Sequence, residues 1–191
     1  KAIQALGIEE YILFETYDCD TASNKRTYIE SLYIKQSDFE KIIKPQLQEQ
    51  RAYDLHELTK TNDPVARMAT IAAVLSNKFD YFFWCGFYFL HGDKMIVGPY
   101  QGPVACQVLQ GAGVCLAAVT QNQSIVVPDV HQFPGHIACD SRSNSEIVIP
   151  VRNSAGNIMA VLDVDSADYN SFDETDRINL EKIVSLVYPI L

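Results

Sequence analysis

Cys139 stands in the segment PGHIACDSRSNSEIVIP (Pro134 to Pro150), seven residues ahead of Glu146, a carboxylate that opens an apolar strand. A loop thiol followed by an acid on a rigid strand suits redox chemistry on a cationic ligand, because a thiolate supplies electrons and a carboxylate holds positive charge. Two further thiols, Cys106 and Cys115, lie upstream in ACQVLQGAGVC, and two further acids, Asp163 and Asp165, lie downstream in VLDVDS. Trp84 and Tyr88 fall in WCGFY. Three thiols, three acids and an aromatic pair can therefore share one small site. Asp163 and Asp165, two apart on a strand, point from one face, which a purely structural pair does within such an apolar run only when exposed or paired. Like charges held close also raise a carboxyl pKa, so one of the three acids can stay protonated and serve as a proton donor.

The elements that must position these residues are legible as periodicities. Tyr11 to Tyr17 (YILFETY) reads as a strand in an otherwise unassigned arm whose flanks are compatible with helix. Ser37 with Glu40 forms a capping-box pattern, and Phe39, Ile42, Ile43 and Leu47 predict a helix bent or restarted at Pro45. Asp63 and Pro64 start a helix over residues 64–77, with Val65, Met68, Ala72 and Leu75 at helical spacing. From Tyr81 the texture is β: Phe82 to Leu90, a His91-Gly92-Asp93 turn, then Lys94 to Tyr100 as a hairpin. Alternation along its first strand puts Trp84, Gly86 and Tyr88 on one face and Cys85, Phe87 and Phe89 on the other, with Gly86 expected to leave open space between two aromatic walls. By the same alternation Cys85 is core packing. A short helix is predicted over residues 114–122, then a strand over 124–130 that Pro128 ends or places at an edge. EIVIPVRN and NIMAVLDVDS form a second hairpin around Ser154-Ala155-Gly156. Ser171 with Glu174 suggests a capping box for a closing helix whose apolar stripe is Ile178, Ile183, Val184 and Val187.

These elements define an α+β sandwich: an antiparallel sheet with helices packed on one face and a ligand pocket under loops on the other. The 191 residues are expected to form an N-terminal arm of residues 1–36 and a single domain of residues 37–191. A formal charge of −9 repels phosphate backbones, so nucleic acid is excluded as a partner. No segment is apolar over the length of a bilayer, and Lys1-Ala2-Ile3 opens no secretory signal, although a chain starting without Met is compatible with processing. Five widely spaced cysteines, an odd number, fit a reducing cytoplasm rather than a disulfide scaffold.

WCGFY, GPYQGPVAC, GVC, VVPDV, FPGHIACD, SEIVIP and VLDVDS occur in the order found in the free methionine-R-sulfoxide reductases, and the chain resembles that family of GAF-domain proteins over roughly Asn62 to Val187, about two thirds of its length. The resemblance implies a GAF-like fold and reduction of the R epimer of free methionine sulfoxide to methionine, with an enzyme disulfide regenerated by thioredoxin and no bound cofactor or metal. Within that chemistry Cys139 is the expected nucleophile, with His136 and Arg142 near in sequence to favour its thiolate and Asp140 opposing them. Cys106 is the expected resolving thiol, with Cys115 the alternative for either role. A free amino acid carries an ammonium that a methionine inside a polypeptide lacks, so Glu146, Asp163 and Asp165 are expected to grip it, and Trp84 and Tyr88 to pack on the methyl and methylene groups.

The chain departs from the family pattern in a Cys106–Cys115 loop one residue shorter than usual and in Leu116, where glycine is common. Two other readings stand beside the enzyme: a GAF module that binds a small molecule without chemistry, and a zinc site built from Cys106, Cys115, Cys139 and His131 or His136. Oligomeric state is open, a homodimer being one option.

Overall fold

Apolar residues at every second position of two adjacent strands decide the architecture of the chain. The computed structural model describes residues 11–14, 17–20, 25–28, 32–35, 61–137 and 139–188. The chain divides into two compact units, residues 1–51 and 52–191. In the first, β1 (Tyr11–Phe14) pairs antiparallel with β4 (Leu32–Lys35), and β2 (Tyr17–Asp20) with β3 (Lys25–Tyr28). The strand expected over Tyr11 to Tyr17 is β1 as far as Phe14, and Tyr17 begins β2. The helix expected after Ser37 and the boundary expected between residues 36 and 37 lie outside the described residues.

The second unit opens with α1 (Pro64–Lys78), capped by the Asp63 side chain, which accepts the Ala66 N–H. Met68, Ile71, Ala72 and Leu75 are its buried stripe, whereas Val65 is exposed because it lies one residue round from the apolar face. A six-stranded antiparallel sheet follows. Its strands are β5 (Trp84–His91), β6 (Lys94–Gln101), β7 (Val108–Gln110), β8 (Ile125–Val127), β9 (Ser145–Arg152) and β10 (Ile158–Ser166), arranged β7-β6-β5-β10-β9-β8. Both expected hairpins are present, and β8 is at an edge and stops before Pro128. Helix α2 (Val114–Gln121) follows β7, and α3 (Glu174–Val184) closes the unit.

The capping box of α3 is formed by Asp173 and Asp176 rather than by Ser171 and Glu174. Ser171 instead donates its hydroxyl to Ser166 Oγ and the Asp168 carbonyl, anchoring the preceding turn. Of the expected stripe Ile183, Val184 and Val187 are buried, joined by Leu180, whereas Ile178 is exposed.

Each face of the sheet has its own core. On one, α1 and α3 cover Cys85, Phe87, Ile147, Ile149, Leu162 and Val164. On the other lie Trp84, Tyr88, Val148 and Val161, with α2 packed beside the loops. The pocket face therefore carries a helix as well as loops, since Val114, Cys115 and Ala118 give α2 an apolar side to bury. The pairing of β10 with β9 sets Asp165 opposite Glu146 and Leu162 opposite Ile149. A one-residue slip would exchange the two faces, so burial of the leucines and isoleucines fixes where the acids point.

Gly86 does not leave the expected gap. A Cβ there would lie 2.7 Å from Trp84 Cη2 and would collide with the Cβ of Tyr100, because the indole folds across the glycine to stack on Tyr88 and Tyr100 at 5.7 and 5.4 Å between ring centroids. Gly86→Ala should cost about 1–3 kcal/mol of overpacking. Urea unfolding is expected to show a lower midpoint with an unchanged slope, accompanied by an altered near-UV signal from the displaced Trp84.

Candidate active site

The ends of β5, β9 and β10 and the loops before β7, α2 and β9 enclose a pocket of about 590 Å³, its open mouth included. Trp84, Tyr88, Cys115, Cys139, Glu146, Asp163 and Asp165 all line it. Cys106 lies just behind, joined to Cys139 in a disulfide with Cα atoms 5.5 Å apart. Every residue expected at the site from the sequence is therefore in or directly bonded to one cavity, although the two bridged cysteines are 33 residues apart in the chain. The shorter loop between Cys106 and Cys115 does not prevent the bridge.

Specific contacts bring these segments together. Gly135 has a φ of 75°, and a Cβ on it would lie 2.7 Å from the Ala112 Cβ, so glycine lets the loop bearing Cys139 press against the loop before α2. The far end of that loop is tied to β10: the Asn144 N–H donates to the Ser166 carbonyl at 2.9 Å, and the Ser143 hydroxyl donates to Asp165. Tyr88 donates its hydroxyl to the Cys106 carbonyl at 3.0 Å, linking the aromatic wall to the disulfide.

The floor is an acidic pit. Glu146 and Asp163 are buried, and the described residues lining the pocket include no lysine or arginine. Burial, reinforced by Asp163 and Asp165, pushes the Glu146 carboxyl well above its ordinary range. Burial and the Asp165 charge do the same to Asp163, while hydrogen bonds from Glu146 and the Cys115 thiol pull the other way. The pair is thus arranged to hold a proton between them, Glu146 as donor and Asp163 as acceptor. Asp165 is raised to about 6, chiefly by burial, with the Ser143 hydrogen bond opposing. His136 Nε2 lies 3.8 Å from Glu146 Oε2, and burial together with His131 lowers its pKa, so the imidazole is neutral near pH 7.

Two buried polar atoms of residues on the pocket wall have no partner among the described residues: Asp163 Oδ1, an acceptor, and Trp84 Nε1, a donor. Such atoms are rare in folded proteins and ask for a ligand carrying matching groups. The indole donor was the feature that sequence reasoning missed, since alternation placed the ring but could not reveal that its N–H finds no acceptor.

The thiols differ sharply. Cys139 is exposed, whereas Cys115 is buried and its thiol is pushed well above the ordinary value by desolvation and then by Asp163. Cys85 is buried on the opposite face, as alternation required. Arg142 makes a bidentate pair with Asp140 (3.0 and 2.7 Å), holding that carboxyl down at about 2, so its charge is committed there rather than to Cys139. The zinc set of three cysteines and a histidine is not assembled, because Cys106 and Cys139 are bonded to each other.

A six-stranded antiparallel sheet with helices α1 and α3 on one face, and α2 and loops over a pocket on the other, is the architecture of a GAF domain, and the GAF family model matches residues 63–187. A GAF domain-containing protein A of Dictyostelium discoideum is 47% identical over 132 residues, 68% of this chain and 82% of that one. The free methionine-R-sulfoxide reductase of Escherichia coli is 42% identical over 130 residues, 66% of this chain and 77% of that one. The solved free methionine-R-sulfoxide reductase of Neisseria meningitidis, in complex with its substrate, superposes with a TM-score of 0.71 at 38% identity, covering 75% of this chain and 87% of that one. The chain belongs to the free methionine-R-sulfoxide reductase family of GAF-domain proteins.

The pit has a consequence for stability. Between the ordinary aspartate value of 3.8 and about 6, the folded chain keeps a proton on Asp165 that the unfolded chain has lost. Stability from this group is therefore full below the lower value and declines as pH rises through the upper one. Calorimetry should show the Tm of Asp165→Asn gaining on that of the parent across this window. A constant difference between the two would overturn the assignment.

Proposed function

We propose that the chain reduces free L-methionine (R)-S-oxide to L-methionine by thiol chemistry. The observation that carries this reading is the disulfide placement: Cys139 faces the acidic pit and Cys106 stands behind it, so one thiol can reach a bound ligand and the other can reach only the first thiol. The ammonium of the amino acid neutralises Asp163, Asp165 and Glu146, and Oδ1 of Asp163 offers it an acceptor. Trp84 and Tyr88 flank the methyl and methylene groups, with the indole N–H directed to an oxygen of the substrate.

The Cys139 thiolate attacks the sulfoxide sulfur while the carboxylic acid shared by Glu146 and Asp163 protonates the oxygen. Oxygen passes to the protein, leaving methionine and a Cys139 sulfenic acid. The Cys106 thiol then displaces water from that sulfenic acid and forms the disulfide. A thioredoxin-type dithiol reduces the bridge, becoming a disulfide itself, so each cycle consumes one sulfoxide and one dithiol and releases methionine and water. No bound cofactor enters this scheme. Cys139 is favoured over Cys115 as nucleophile because it is exposed, whereas the Cys115 thiol is buried among acids that oppose its ionisation. The R epimer is carried by family membership. A catalytic domain over residues 37–191, a role outside catalysis for residues 1–36, and a cytoplasmic setting complete the proposal.

Single-turnover assays on individual cysteine variants test it. Cys139→Ser should form no methionine from free methionine-R-sulfoxide. Cys106→Ser should form one equivalent per chain and then stop in the absence of another reductant, because its sulfenic acid has no partner thiol in place. A wild-type chain that binds the sulfoxide but consumes no NADPH with thioredoxin and its reductase would instead be a binding module.

A further inference from the structure

We propose that Cys115, Glu146 and Asp163 form a binding site for a thiophilic divalent cation of the zinc class, and that this ion excludes the amino acid by occupying the place of its ammonium. The overlap with the amino acid rests on the function proposed above, but the cation site itself does not. One donor atom from each of the three residues lies within 4.8 Å of the others. Bonds of about 2.0–2.3 Å around a tetrahedral ion separate its donors by about 3.3–3.8 Å, so small side-chain rotations bring this set into range.

A second observation, on one member of the cluster, points to a cation. Asp163 is 7% exposed, lines the pocket, and its Oδ1 has no partner among the described residues. His136, whose Nε2 is 3.8 Å from Glu146 Oε2, stands in the same pocket as a further donor. A thiolate among two carboxylates and an imidazole suits zinc or cobalt, whereas magnesium and calcium take oxygen donors alone. Binding moves no electrons: the thiol and the shared carboxyl each give up a proton to solvent, and three bonds to the ion form.

The disulfide makes the site separable from the redox pair. With Cys106 and Cys139 bonded, the free thiols among the described residues outside the N-terminal unit are Cys85 and Cys115, and Cys85 lies in the core on the other side of the sheet. The ion would therefore meet Cys115 in the oxidised chain, without competition from the catalytic thiols.

The test is titration of the full, disulfide-bonded chain with Co²⁺, followed by absorption. The expected result is one equivalent bound with a thiolate-to-metal band, displaced by Zn²⁺, and an apparent Kd that rises in proportion to added free methionine. Cys115→Ser should lose the band. Glu146→Gln should keep it while binding Co²⁺ about tenfold or more weakly. Absence of the band, or its survival in Cys115→Ser, overturns the site. Methionine titrated into the metal-free chain reports separately whether the amino acid binds: failure there counts against the proposed function, whereas methionine that binds yet leaves the band in place overturns the overlap.

Discussion

Three carboxylates crowd one end of a sheet, and the chain must keep them there against their own desolvation and mutual repulsion. Moving an ionised carboxylate from water into a protein interior costs several kcal/mol even after relaxation. No lysine or arginine among the described residues lines the pocket to offset that cost. What holds the arrangement is partial neutralisation: a proton kept between Glu146 and Asp163, a thiol from Cys115, and a hydroxyl from Ser143 on Asp165. The remaining charge, and Asp163 Oδ1 in particular, finds no partner among the described residues. The glycine contact, the aromatic stack and the disulfide are all arranged around this pit.

The pit survives because the opposite face of the same strands is apolar and fully buried. Leu162 and Val164 alternate with Asp163 and Asp165 along β10, and both apolar residues are 0% exposed in the core under α1 and α3. That core supplies the hydrophobic stabilisation which tolerates an unfavourable site one side chain away. Arg67 adds a long-range tie, donating to the Leu186 carbonyl at 2.6 Å and so fastening α1 to the segment after α3. Stability and chemistry are divided between two faces of one sheet, and β10 belongs to both.

The thiols follow a second division, by access. Cys139 sits on a loop at the mouth, tied at one end by Gly135 against Ala112 and at the other by Asn144 to β10. Cys115 is on α2, deep beside the acids, where ionisation is opposed unless positive charge arrives. One pocket thus holds an exposed cysteine in its bridge and a buried free thiol among the acids.

Local periodicity by itself determined much of the domain. Alternation put Trp84 and Tyr88 on one face and Cys85 on the other, joined Asp163 to Asp165, and marked both hairpins, because side-chain direction on a strand depends only on position. Asp63-Pro64 located α1 for the same local reason. The motif blocks that mark the family contain the cysteines and acids that line the pocket or bond to it. Tertiary structure alone decided that Cys106, not Cys115, bonds to Cys139, since the fold brings together two loop positions 33 residues apart while Cys115 is buried on α2. It also decided that the space beside Gly86 is filled by an indole, that Arg142 is held by Asp140, and that Asp173 rather than Ser171 caps α3. Each of these outcomes turns on competition among several partners for one group, and the winner is set by distances that no sequence window contains.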